Sequence, residues 1–191
     1  MKNLLSLLCI IILPGLYSCY AQDTSFTKAV VHADKQSYDV SGAILHHKYV
    51  QNTKRHNYNV DPASLPKTKP VDNSDLYNRP TPKDAYTDNS VVAQIFYDTF
   101  STQRLQKLAN EDLILQVGYS VDLQGNILDV SFVFPNNTSL RPVEIEKLEN
   151  RLQKEVKYKI NNKVYKNDRY ILVGNIVTFR RLADHTANAI R

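Results

Sequence analysis

Cysteine is almost missing from this sequence. The 191 residues hold two, Cys9 and Cys19, both within the first twenty. The rest of the chain therefore has no disulfide, no thiolate metal site and no cysteine nucleophile, and its stability must come from an apolar core. Tryptophan is absent and there are only five glycines, which argues against a glycine-rich phosphate loop; Gly-x-Ser-x-Gly and His-Glu-x-x-His patterns are also missing. Apolar runs are short, and none reaches the roughly 20 residues that span a bilayer. The net charge is +5, with Lys and Arg spread along the chain. That pattern gives a mildly basic surface without the clustered basic face of a nucleic-acid binder.

What is present begins with an address. Met1-Lys2-Asn3 is a short positive start, Leu4 to Leu13 is almost wholly apolar, and Pro14-Gly15 breaks the helix. This is the layout of a secretory signal, expected over residues 1–21. Leu16-Tyr17-Ser18-Cys19-Tyr20-Ala21-Gln22 can be processed in two ways. Cleavage after Ala21 places small Cys19 and Ala21 where signal peptidase requires them and leaves Gln22 first. Leu16 and Ser18 ahead of Cys19 instead resemble a lipobox, which makes Cys19 a candidate lipidation site. Both routes lead to an exported bacterial protein in the periplasm or cell envelope. On the second route it is lipid-anchored to the outer membrane, and that anchor is the sole membrane contact expected.

From 22 to 89 the chain is polar, and Pro62, Pro66, Pro70, Pro80 and Pro82 punctuate it. It reads as an arm or linker. Ala29-Val30-Val31 and Ala43-Ile44-Leu45 are expected as short strands around a turn at Ser37–Gly42, positioned to extend the sheet of the following domain.

Residues 90–182 are expected to form an α+β domain, with 183–191 a polar tail. Asp88, Asn89 and Ser90 are good helix N-caps, and Val92, Ile95, Phe96 and Phe100 follow at helical spacing, predicting a helix over 90–99. Ser101 starts a second short helical stretch carrying Leu105 and Leu108. Leu113, Leu115, Val117, Tyr119 and Val121 then alternate with more polar residues, a half-buried strand. Asp122-Leu123-Gln124-Gly125-Asn126 supplies a turn, and Ile127 to Phe134 returns with Leu128, Val130, Phe132 and Phe134 on one face. A helix over 141–155 presents Ile145, Leu148, Leu152 and Val156 as a core stripe. Pro142 falls in its first turn, and Glu144 is placed to pair with Lys147. Short alternation at Val156, Tyr158 and Ile160 and a last strand over Tyr170 to Phe179 complete a small four-stranded antiparallel sheet packed against one or two helices.

The stretch Leu115-Gln116-Val117-Gly118-Tyr119-Ser120-Val121-Asp122-Leu123-Gln124-Gly125-Asn126-Ile127-Leu128-Asp129-Val130 resembles the start of a TonB C-terminal-like domain. The likeness covers about 110 to 180. It implies an antiparallel sheet with an open edge able to accept a further strand. It does not imply energy transduction, because the leader reads as cleavable and the Pro-containing arm is too short to cross most of a periplasm at roughly 3.3 Å per residue.

No constellation of catalytic side chains stands out. His46, His47 and His56 lie close in sequence, but adjacent His side chains diverge and no carboxylate sits at a ligand-like interval; surface histidines explain them, and His32 and His185 are isolated. Asp122 and Asp129 flank the hairpin turn, where capping and solubility account for them. Lys48, Lys54, Arg55 and His56 with Tyr49 and Tyr58 make a basic, aromatic stretch that reads either as a solvated arm or as a contact for an anionic glycan or lipid headgroup. The expectation is a non-catalytic module with no cofactor and no metal, binding an envelope protein partner by strand addition. The alternatives are a glycan-binding protein using Tyr49, Tyr58, Tyr77 or Tyr86 as platforms, and an enzyme acting on envelope polymers.

Overall fold

The computed structural model describes residues 22–43, 46–55, 84–161, 163–165, 170–185 and 189–190. The signal region, Cys19, His56, Tyr58 and Tyr77 lie outside them. Elements are numbered in chain order: β1 Val30–His32, β2 Ser37–Ala43, β3 His47–Asn52, a 3₁₀ turn Thr53–Arg55, β4 Ala85–Tyr86, α1 Asn89–Thr99, α2 Thr102–Asn110, β5 Ile114–Asp122, β6 Ile127–Pro135, α3 Pro142–Glu155, β7 Lys159–Ile160, β8 Tyr170–Thr178 and α4 Phe179–Ala183.

Six of these strands form one antiparallel sheet in the order β1-β2-β3-β6-β5-β8, while β4 and β7 pair apart from it. The period-two pattern puts Val117, Tyr119 and Val121 of β5, Val130, Phe132 and Phe134 of β6, Val50 of β3 and Tyr38 of β2 on one buried face. The helices cover that face. On α3, Ile145, Leu148 and Leu152 face inward, and Val156 follows; all four are fully buried. α1 buries Val92, Ile95 and Phe96 and packs on α3, and α2 packs on α4. Phe96, Phe100 and Phe179 close the layer, with ring centroids 5.5 to 6.2 Å apart. Asp88 caps α1 by accepting from the Ser90 N–H at 2.8 Å, and Ser101 caps α2 by accepting from the Arg104 N–H at 3.2 Å. The result is a two-layer α+β fold.

Several sequence expectations need correction. The main sheet has six strands, not four: the region read as an arm with short strands supplies three of them, β1, β2 and β3. The strand expected near Val30 is β1 and does extend the sheet, whereas Ile44 and Leu45 of the second expected strand lie outside the described residues. Ser37–Gly42, expected as a turn, is the body of β2; cross-strand pairing with β3 overrides its turn-forming residues. Tyr158 and Ile160 do not join the main sheet, since β7 pairs with β4. A register shift at Ser120/Val121 brings Ile127, not Leu128, opposite Val121. Glu144 does not pair with Lys147; its carboxylate takes Arg104 and Arg141. The last residues are not simply a polar tail: Ala189 and Ile190 are buried, and Ile190 bridges to Val177.

Candidate functional site

The other face of the main sheet carries no helix among the described residues. Strand register arranges its side chains in three rows running across the strands. The middle row is Gln51, Ser131, Gly118 and Gly174. On one side lie Tyr49, Val133, Gln116 and Ile176; on the other lie Asp129, Ser120 and Leu172. The middle row is low because two of its members are glycine. At Gly118 a Cβ would sit 2.7 Å from Ser131 Oγ, and at Gly174 one would sit 2.7 Å from the Val117 carbonyl oxygen. The outcome is a trough of about 360 Å³ lined by Tyr49, Gly118, Ser120, Asp129, Ser131 and Leu172, among others.

A hydrogen-bond relay stiffens one end of this trough. Tyr49 Oη donates to Gln51 Oε1 at 3.0 Å, and Gln51 Nε2 donates to Asp129 Oδ2. Asp129 Oδ1 accepts from the Val130 N–H at 2.9 Å. Asp129 is only 2% exposed, so it does not serve hairpin solubility as its position by the turn suggested. Asp122 does cap the turn, accepting from the N–H groups of Gln124 and Asn126 and from Asn126 Nδ2. Burial opposes its charged form, but these donors prevail and hold the Asp122 carboxyl below its usual range.

The second feature is the outer edge of β8. The Phe179 N–H bonds inward to the Leu113 carbonyl, whereas the Thr178 N–H bonds outward to Ala189. By strand alternation, the backbone groups of Leu172, Gly174 and Ile176 point away from β5. The Ala189–Ile190 segment lies against the Thr178 end of this edge. Leu172 and Ile176 are about half exposed, at 46% and 47%, and Ile114 on the adjacent strand is 47% exposed. β8 contains no charged residue and no proline, two of the devices that blunt a sheet edge.

Buried carboxylates elsewhere act as joints between the sheet and α3. Glu149, fully buried, accepts from Tyr38 Oη at 2.6 Å and from Asn52 Nδ2 at 3.2 Å. Both Glu146 oxygens accept from the Lys35 N–H, at 3.0 and 3.1 Å. These bonds fasten β2, β3 and the β1–β2 turn to the helix. Tyr119 Oη is different: it is buried with no hydrogen-bond partner among the described residues, beside the Tyr158 ring at 5.7 Å. Burial pushes its phenol well above the ordinary value, and Tyr158 adds to this. An orphan hydroxyl in a core costs about 1–3 kcal/mol of desolvation. Tyr119→Phe is therefore expected to unfold at the same or higher denaturant concentration than the wild type, read by urea titration.

The residues singled out in the sequence fall far apart. His32 Nδ1 bonds Ser37 Oγ at 2.8 Å, His46 takes a left-handed φ of 62° ahead of β3, His47 pairs with Pro135 and Ala43 in the sheet, and His185 stacks on Tyr97 at 4.9 Å. Within the described part of the basic stretch, Lys48 and Tyr49 point to opposite faces of the sheet. Lys48 stands on the helix-covered side opposite Phe134, with Nζ donating to the Phe26 carbonyl, while Tyr49 stands on the open side. Tyr86 is exposed on β4, with Lys159 Nζ 5.6 Å from its ring centroid. Of these residues, Tyr49 and Asp129 meet in the trough. The glycines and serines that complete it were overlooked, although a glycine inside a strand, as at 118 and 174, often marks close approach of another group.

The sequence matches no protein-family model and no curated protein. Its fold resembles the crystal structure of a DUF5043 family protein from Bacteroides uniformis ATCC 8492, with a TM-score of 0.55 over 81% of this chain and 86% of that one. Identity between the two is 12%, so the likeness is one of α+β architecture.

Proposed function

We propose that this is an exported bacterial cell-envelope protein that works as a non-catalytic interaction module, holding an extended segment of a partner protein against the β8 edge. The observation that carries the reading is the outward-facing backbone of Leu172, Gly174 and Ile176 on an uncharged edge strand with apolar side chains beside it. An added strand gains main-chain hydrogen bonds along β8, and its alternate side chains pack on Leu172, Ile176 and Ile114. The TonB-like hairpin and the signal-like leader read from the sequence support this proposal, in which the partner is an envelope protein.

The double variant Leu172→Lys, Ile176→Lys tests it. Both side chains are half exposed, so the fold should persist, while two like charges on the edge oppose strand addition. Wild-type protein should retain a specific envelope protein in affinity capture, and the variant should lose it at an unchanged thermal midpoint. In the captured complex the amides of Leu172, Gly174 and Ile176 should gain protection from hydrogen exchange. Equal retention of the same proteins by both forms would refute the proposal.

A further inference from the structure

On the exported reading proposed above, cleavage after Ala21 makes Gln22 the first residue of the mature chain. Resting on that reading, we propose that Gln22 is a modification site. Its side-chain amide closes onto its own α-amine to give an N-terminal pyroglutamate, and the Asp34 carboxylate carries the proton. Two contacts of the fold and one property of glutamine lead there.

The first contact is a clamp on the next residue. The Asp23 N–H donates to the His32 carbonyl at 2.8 Å, and Asp23 Oδ2 accepts from the His32 N–H at 2.9 Å. Lys28 Nζ adds a bond to Asp23 Oδ1 at 2.6 Å. Asp23 is thus fastened to the end of β1, and Gln22 stands one residue outside that fastening.

The second contact is made by Gln22 itself. Its Nε2 donates to Asp34 Oδ1 at 3.2 Å, and both side chains are exposed. Asp34 sits in the β1–β2 turn, where the Ala33 N–H donates to the Gln36 carbonyl at 2.9 Å. Clamp and turn together keep the carboxylate within proton-transfer reach of the amide nitrogen, while Gln22 is free of core packing and can fold back on its own amine.

The property of glutamine is that its primary amide forms a five-membered ring with its own α-amine. That amine ordinarily titrates at about 7.7–8.0, so a share of it is uncharged at neutral pH. The uncharged nitrogen attacks Cδ, the N–Cδ bond forms and the Cδ–Nε2 bond breaks. The attacking nitrogen gives up one proton and the departing nitrogen takes one, so ammonia leaves and no oxidant or co-reactant enters. Asp34 already touches the departing nitrogen, and its carboxylate passes the proton from one nitrogen to the other. The product has an uncharged N-terminus without the α-amine that an aminopeptidase needs.

The experiment uses the mature protein purified from its native envelope, read by intact mass and N-terminal sequencing. The expected mass is that of residues 22–191 less one ammonia, with an end blocked to stepwise degradation and opened by pyroglutamyl aminopeptidase. An unmodified Gln22, or an end at another residue, would overturn the proposal. An acylated Cys19 would overturn it too, yet leave the exported interaction module standing; an uncleaved chain would overturn the exported reading as well. The proton carrier is timed separately. A removable leader is cut directly before Gln22 in vitro, and the loss of ammonia is followed by mass. Asp34→Asn keeps an acceptor for Gln22 Nε2 but cannot carry a proton, so it should slow ring closure about tenfold or more at an unchanged thermal midpoint. Equal rates in the two forms would overturn the role given to Asp34.

Discussion

Arg104→Ala is expected to destabilise the protein by about 3–5 kcal/mol, the usual cost of stripping the partner from a buried charge. Arg104 grips Glu144 with two bonds, Nε to Oε1 at 2.7 Å and Nη2 to Oε2 at 2.8 Å. It also donates to Ser139 through Nη1 to Oγ at 2.9 Å and Nη2 to the carbonyl at 2.6 Å. One guanidinium thus ties α2 to the loop before α3 and to the first turn of α3. Glu144 in turn receives the Arg141 N–H at 2.9 Å and Arg141 Nη2 at 2.7 Å, closing a capping box. Burial acts to raise the Glu144 carboxyl, but the hydrogen bonds from Arg104 and Arg141 outweigh it and hold the group below its ordinary 4.5. The sign of the pH effect follows. A carboxyl depressed in the folded state contributes stability that is full above about 4.5 and is lost as pH falls through the lower folded value. Wild-type stability should drop over that acidic window. In Arg104→Ala the buried carboxyl loses its main donors, so the acid-side drop should flatten. Urea unfolding at pH 7 and at several points below pH 5 measures both effects. A loss under about 1 kcal/mol at pH 7 would mean the pair behaves as an exposed one.

Gly125→Ala should cost about as much, for a different reason. Gly125 has φ of +83°, and a Cβ there would lie 1.9 Å from the Tyr158 carbonyl oxygen and 3.0 Å from its carbon. A left-handed non-glycine residue alone costs of order 1–3 kcal/mol. The contact must also be relieved by moving backbone, since no flexible side chain is there to give way. The neighbouring bonds leave little freedom: the Tyr158 N–H donates to the Gly125 carbonyl at 3.0 Å, and Asn126 bridges to Lys157. The combined cost should exceed about 3 kcal/mol. Gly42→Ala is the control. Nothing lies within 4 Å of a Cβ at Gly42, so that change should stay within about 0.5 kcal/mol. Equal denaturation midpoints for the two variants would contradict this account.

Local pattern was enough to read the β5–β6 hairpin and the α3 stripe, because each has one wet and one dry side and a period that says so. It was not enough for β2. Ser37, Asp39, Ser41 and Gly42 are turn-forming by themselves, and they become strand through pairing with β3, which no local window contains. The Glu144 partner was misread for the same reason: Lys147 is one turn away in sequence, whereas Arg104, forty positions earlier, offers a planar fork and a buried approach. The trough was the least legible. Its lining comes from β3, β5, β6 and β8, and only register sets Gln51, Ser131, Gly118 and Gly174 in a line.

The β3–β6 seam also bears on how the chain assembles as it is made. Strands 30–52 emerge from the ribosome well before residues 127–135, the strand they need. Until then the meander is a three-stranded ribbon whose apolar side chains, Val31, Tyr38 and Val50, have neither α3 nor β6 to cover them. Pairing across about eighty positions closes late and slowly compared with a hairpin. Nascent chains halted before Ile127 should therefore be the aggregation-prone species, and a holding chaperone would find its target in the first third of the protein rather than in the hairpin that follows.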